Sequence, residues 1–327
     1  MKIHSLSVIN ANVGNPILPT NKKDPAGQFG NLRNANARLN TRYKLIKKGI
    51  RNLIATFNPI LISSNSLTNN TNVYEYQLDA VRYQNINQYL QNLLYQQLLD
   101  GPTGVFKETW FLNSNLDLAY ENGTQDAIVS AQRIASPDFV GDAIARQVDA
   151  ISIEQVMFTR QYQDRVGLVQ ARVFNEMLGL SDQTKTDLAD TLARGMAAGK
   201  GVRELTKDVY KRTDVSHSRA KRIVRTEVLN AYRTATSAET DEINNSVYDD
   251  SPWEMKQLWF SALAPTSRSW HISRHGSVYT TQEVKEFYDR DANAINCLCS
   301  QSPVLVNKKT GEVLQQPLID KMKKQIS

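Results

Sequence analysis

SRAKRIVRTEVLNAYRTATSAE, Ser218 to Glu239, holds neither Gly nor Pro and repeats its apolar residues at helical spacing. At about 100° per residue, Val224, Val228, Ala231 and Ala235 share one side. Thr226, Asn230 and Arg233 lie opposite, with Glu227 beside them. The apolar side is expected to pack within a helical body. The polar side is expected to meet a neighbouring module or another chain, with Arg225 and Glu227 bonding to the C-terminal part of the molecule. A solvated helix face is the alternative, since exposed ion pairs contribute little. Arg225-Thr226-Glu227 offers no nucleophile beside a base, so the run is not read as catalytic.

The helical pattern extends upstream. Ser216 or Ser218 is expected to cap this helix, and Val202 to Arg212 to form a short one before it. Ser181-Asp182 should open a helix from Thr184 to Ala198, ended by Gly199 and Gly201. Gly195-x3-Gly199-Lys200-Gly201 has neither the glycine spacing nor the following hydroxyl of a phosphate loop, and is read as a helix end and turn. Ile153 to Leu178 reads as one long helix. Further helices are expected over Tyr74 to Leu99, Phe106 to Tyr120 and Thr124 to Ile134, with Asn122-Gly123 as a turn. A polar loop covers Ser63 to Asn72. Helical spacing begins near Asn40, and residues 1–38, punctuated by Asn15-Pro16, Asp24-Pro25 and Gly27, read as an extended arm.

Downstream of Asn244 the character changes. Met255 to Ala262 alternates and is aromatic, which suggests a strand. Ser300 to Val306 and Glu312 to Leu314 suggest two more around a Lys308 to Gly311 turn, and Thr281 to Tyr288 a short helix. The expected fold is mostly α: a helical body with a small C-terminal α+β module. Its expected divisions are the arm (1–38), an N-terminal helical region (39–150), a body carrying the Arg-Thr-Glu helix (151–244) and the module (253–327).

With 327 residues, 41% of them hydrophobic, the chain is long enough to bury a proper core. The formal charge of +6 is a mild excess that admits DNA phosphates or acidic protein surfaces as partners without requiring either. No run of about 18 apolar residues exists to span a membrane. Met1 to Asn12 lacks a secretory signal's apolar core, so assembly in a cytoplasm is expected. The two cysteines, Cys297 and Cys299, stand one residue apart. That spacing disfavours a structural disulfide and leaves thiols or metal ligands.

His271-x3-His275 would share a helix face, and Cys297-x-Cys299 a strand face. Together the four could converge into a tetrahedral zinc site that staples a small module. The alternative is two buried thiols and a core histidine. Arg203, Lys207, Lys211, Arg219 and Arg222 cluster before the Arg-Thr-Glu run. They suit DNA phosphates, an acidic partner surface, or simply a solvated face.

Five stretches together carry a family resemblance. Gly195 to Lys211 reads GMAAGKGVRELTKDVYK and is followed by the Ser218 to Glu239 run. Lys256 to Ala262 contains Trp259. Arg268-Ser269-Trp270-His271 precedes Gly276, and Asn296-Cys297-Leu298-Cys299 precedes Pro303. In order and spacing these resemble the phage Mu F-like minor head protein (phage head morphogenesis) family, over roughly the last third to half of the chain. Against that pattern, Leu298 stands where an arginine is usual, and Ala264 to Ser267 lacks the usual acidic residue. The resemblance marks Arg225, Thr226, Glu227, Trp259, Arg268, His271, Gly276 and Asn296 as motif residues. It implies a non-enzymatic minor capsid protein of a tailed bacteriophage, resident in the virion head. It would act at or near the portal in head assembly and in DNA packaging or ejection. The implied partners are portal and capsid proteins, with packaged double-stranded DNA as a further one. The competing reading is a nucleic-acid-binding or nuclease-like protein using the His/Cys module, with His271 and His275 as acid and base.

Overall fold

The computed structural model describes residues 14–64 and 72–326. In chain order these form α1 (Phe29–Ala55), β1 (Ile60–Ser64), β2 (Asn72–Glu75), α2 (Ala80–Leu98), α3 (Asn113–Ile134), α4 (Pro137–Val140), α5 (Asp142–Asp149), α6 (Ile153–Phe158), α7 (Arg160–Ala197), α8 (Val202–Ser246), β3 (Trp253–Phe260), α9 (Ser269–Ile272), β4 (Val278–Tyr279), α10 (Thr281–Asp289), β5 (Ser300–Asn307) and α11 (Gln316–Lys323). The fold is mostly α, with small antiparallel sheets, as expected.

Several boundaries differ from the expected ones. The first helix starts at Phe29, not near Asn40, because the buried Asp24 carboxylate accepts from the Gln28 and Phe29 backbone N–H groups at 3.0 and 2.7 Å. Those donors would otherwise be orphaned at the helix start. Residues 29–38 of the expected arm 1–38 are therefore helical. Its first thirteen positions, 1–13, lie outside the described residues. Residues 14–28 are tied down: Ile17 N–H donates to Ser130 Oγ at 3.0 Å and Gly14 N–H to the Arg133 carbonyl at 2.8 Å.

Asn122-Gly123 is not a turn but the middle of α3. A Cβ on Gly123 would stand 2.2 Å from the Tyr232 carbonyl oxygen. The glycine is there so that α3 and α8 can approach closely, a packing reason that mimics a turn signal in sequence. The expected helix from Ile153 is broken at Thr159, whose hydroxyl accepts from Tyr162 N–H at 3.2 Å and opens α7. Ser181 is no cap: α7 runs through it, and its hydroxyl donates back to the Met177 carbonyl at 2.8 Å. Ser216 and Ser218 likewise fall inside α8, one continuous helix about 67 Å long at 1.5 Å per residue. Ser218 Oγ donates back to the Asp214 carbonyl.

The described chain divides into two compact units. They cut across the expected sequential divisions, because each draws on separated stretches. One comprises 31–116 and 167–227. Its buried residues include Leu39, Tyr43, Ile46 and Ile50 of α1, Leu90 and Leu94 of α2, and Leu205, Val209 and Val224 of α8. Trp110 and Phe174 pack edge to face at 5.2 Å. A buried hydroxyl chain joins three helices: Ser216 Oγ lies 2.7 Å from both Tyr43 Oη and Thr184 Oγ1. β1 and β2 form an antiparallel hairpin where a loop and the start of a helix were expected. Its anchor is backbone rather than apolar pattern: Tyr74 N–H donates to the Gly199 carbonyl at 3.0 Å, and Tyr76 Oη donates to the Lys200 carbonyl at 2.6 Å. Gly199 ends α7 with φ +67°, as its sequence context suggested.

The other unit comprises, among the described residues, 14–30, 117–166 and 228–326. Its sheet has the order β4-β3-β5, antiparallel throughout, with Trp253 to Phe260 paired against Asn307 to Ser300. Glu312 to Leu314, expected as a strand, provides only a bridge from Val313 to Val306. One core joins Ile128, Ala131 and Ile134 of α3 and Val148 of α5 to Ile243, Met255 and Leu305. The C-terminal sheet thus buries part of its surface against α3 and α5 rather than standing alone.

Candidate metal centre

Within α8 the residues from Thr226 to Glu239 are mostly buried, on both the apolar and the polar sides. The polar side is therefore interior, and the alternative of a solvated helix face does not hold for this stretch. Glu227 is 3% exposed and accepts from Arg172 Nη2 of α7 at 2.5 Å. Thr226 is buried and Arg225 half-buried. Further along, Arg233 is buried. Its Nη2 donates to the Cys297 carbonyl at 2.8 Å and its guanidinium lies 4.3 Å from the Tyr288 ring centroid. So Arg233 carries a bond from the long helix to the loop of the cysteines.

That loop is shaped by its other motif residues. Arg268 donates to three carbonyls, those of Ala292 (3.1 Å), Asn293 (2.9 Å) and Ile295 (2.8 Å). Asp291, Ala292 and Asn296 all have positive φ, the last at +57°, which asparagine tolerates better than most residues. The guanidinium fork gathers carbonyls that this irregular backbone leaves without ladder partners. Gly276 has φ +74°, and a Cβ there would meet Met322 Cβ at 3.0 Å, while its N–H donates to the Trp259 carbonyl. Trp259 is fully buried, stacked on Tyr288 at 5.2 Å and edge-on to Phe287 at 5.1 Å.

Against this aromatic wall sit His271, Cys297 and Cys299, all buried. Their ligating atoms lie within 4.8 Å of one another, so the cluster could hold a metal ion. Cys297 Sγ is 3.3 Å and Cys299 Sγ 3.7 Å from His271 Nδ1. Cys299 N–H donates to Cys297 Sγ at 3.3 Å, the turn geometry of the C-x-C step. A hydrogen bond from the Cys299 thiol, helped by the Arg233 charge and by His271, holds Cys297 well below the ordinary thiol range despite its burial. Cys299, the donor in that bond, is pushed well above it.

His275 does not join them. The helix at 269–272 has ended before it, so the i,i+4 argument fails. Its Nδ1 accepts from Ser261 N–H at 3.1 Å, which fixes the proton on Nε2 in the neutral ring. Burial, then the charge of Lys22, lowers its pKa. The expected four-ligand set is thereby reduced to three. His271 and His275 are held by different partners, the first beside the two thiols and the second against Ser261.

Arg203, Lys207, Lys211, Arg219 and Arg222 are all exposed on α8. Lys211 Nζ stands 4.0 Å from Asp208, which also takes Lys200 at 2.7 Å. Sequence reasoning placed Arg233 on the polar side of the helix without assigning its partner, and passed over Arg274 and Tyr288. Arg274 lies 4.0 Å from the Phe287 centroid and donates to Tyr279 Oη. Nothing in the local sequence announces these partners; only the fold brings Arg233 and Tyr288 to the cysteine loop and Arg274 to the aromatic wall.

No helix among the described residues is long and apolar enough to cross a membrane. Comparison with curated proteins and with solved structures gives no match. The family model described as phage Mu protein F like protein matches residues 186–302, a span that holds the end of α7, α8, the Trp259 strand, the Arg268–Gly276 segment and both cysteines. The chain carries a phage Mu protein F-like domain over residues 186–302.

Proposed function

We propose that this protein is a structural minor head protein of a tailed bacteriophage, acting at or near the portal during head assembly and DNA packaging or ejection. The family match over residues 186–302 carries the reading. The side chains in that span are arranged for rigidity: Arg268 and Arg233 satisfy backbone carbonyls, and Glu227 is committed to Arg172.

The partner surface is assigned to two exposed features. Ile60, Leu61 and Ile62 follow one another in β1 and are all more than half exposed. An apolar two-stranded hairpin invites covering by another chain, because isolated hairpins gain little in water and exposed apolar patches mark interaction sites. On α8, Arg203, Lys207, Lys211 and Arg222 fall within an arc of about 100° along some 28 Å of helix. That stripe suits an acidic face of a portal or capsid subunit, which electrostatics would steer into register.

The test is co-purification of the chain with the portal protein of its phage, with nuclease present and at moderately high salt. A retained stoichiometric complex is the expected result. Loss of the complex, with salt-sensitive DNA binding by the isolated protein, would replace the reading with a nucleic-acid-binding one.

A further inference from the structure

We propose that His271, Cys297 and Cys299 bind one zinc ion through His271 Nδ1 and the two sulfurs. The argument is geometric. Zinc–sulfur bonds of about 2.3 Å and zinc–nitrogen bonds of about 2.0–2.1 Å, at a tetrahedral angle, separate N and S ligands by about 3.6 Å. The two observed N···S separations, 3.3 and 3.7 Å, bracket that edge. Three soft or borderline ligands in a buried aromatic pocket suit a thiophilic ion rather than magnesium or calcium, which take oxygen donors.

The surroundings fit a metal thiolate centre. Cys299 N–H points at Cys297 Sγ, and Arg233 holds the Cys297 carbonyl, so the first cysteine is fixed on both sides. Arg268 pins the loop that delivers it. Such outer-shell bonds orient ligands as much as the ligands orient the metal. The three protein ligands leave one position of a tetrahedron for an exogenous donor. Tyr288 Oη, 3.8 Å from Cys297 Sγ and accepting from Gln301, stands nearby as a hydrogen-bond partner for it.

His275 is the internal control. It was the fourth residue suggested by spacing, but its Nδ1 is occupied by Ser261 N–H. The ion's role is to lock the loop of residues 290–299 to the helix at 269–272, both of which belong to the matched span. Because ligand binding to the folded state alone adds stability, metal removal should loosen this segment first.

The experiment uses the full chain, purified without chelator. Metal analysis should find one zinc per chain. Cys297→Ser and His271→Ala should reduce it to background, while His275→Ala retains it. Cobalt(II) added to the chelator-stripped wild-type chain should give visible ligand-field bands and thiolate-to-cobalt charge transfer, a readout that does not depend on any variant folding. Stripped wild-type chain that takes up neither zinc nor cobalt would overturn the proposal. Equal loss of zinc in His275→Ala and Cys297→Ser, both still helical by circular dichroism, would overturn the ligand set.

Discussion

Arg233 is buried, with partners for two of its guanidinium nitrogens and for its face. One guanidinium nitrogen bonds the Cys297 carbonyl, another the Asn230 side chain at 3.0 Å, and the plane covers Tyr288. Hydrogen bonds to charged groups contribute about 1.5–3 kcal/mol each, and a cation over an aromatic face adds to them when desolvated. Arg233→Leu should therefore destabilise the protein by at least about 2 kcal/mol. Chemical denaturation would register this as a lower midpoint with an unchanged slope. Arg233→Lys should recover little, since a point charge cannot reproduce the fork. His275 makes a different prediction. Its ring is neutral in the fold, with Lys22 and Lys321 lining the same cavity. Below about pH 6.5 the unfolded chain takes up a proton that the folded ring resists, because its folded pKa is lowered. Stability is thus unaffected above that pH and falls as the pH drops towards the folded pKa. His275→Gln should flatten this acid limb of the melting temperature against pH; an unchanged limb would place the titration elsewhere. The spacing of His271 and His275 was visible in sequence, but the end of a four-residue helix was not. That is why one of the two joins the thiols and the other does not.

At the level of elements, the close crossing of α3 and α8 rests on the missing side chain of Gly123. Gly123→Ala removes a helix penalty of about 1 kcal/mol but places a methyl group 2.2 Å from a carbonyl oxygen. Overpacking costs about 1–3 kcal/mol, and here the clash is with backbone that cannot rotate away. Net destabilisation is expected, measured as a fall in melting temperature; a gain would mean that the helices separate readily. The helical content itself was legible from apolar spacing, as the α1 residues Tyr43, Ile46, Ile50 and Ile54 illustrate. Where the reading failed, polar residues had been recruited to jobs that sequence does not announce. Asp24 caps α1 from four and five residues away, Ser216 joins a buried hydroxyl chain, and Gly123 permits contact. The β1–β2 hairpin was hidden because its strands hold exposed residues and its anchor is the backbone at Gly199 and Lys200.

For the whole molecule, the buried motif residues and the exposed surfaces differ in kind, and the basic stripe of α8 lies within the matched span itself. Arg-Thr-Glu and the Arg268–Gly276 and Asn-Cys-x-Cys motifs were readable as a set, since their order along the chain is what identifies them. What each does was not readable: Glu227 bonds back to α7, and Arg233, outside the triplet, bonds the cysteine loop. These residues serve internal rigidity; on the proposed reading, recognition falls to the exposed hairpin and the basic stripe of α8. Leu61→Asp combined with Ile62→Lys should lower incorporation into heads several-fold without changing the melting temperature, because exposed side chains contribute little to folding. A matching loss of stability would mean that the hairpin is part of the fold rather than of a partner contact.

The most direct test of the structural role is to measure the chain in purified, DNA-filled particles of its phage after nuclease and high-salt washing. A low, fixed number of copies per head, retained through the washes and present in portal-containing fractions of disrupted particles, is the predicted result. Absence from washed particles, with the protein left free in the lysate, would contradict it.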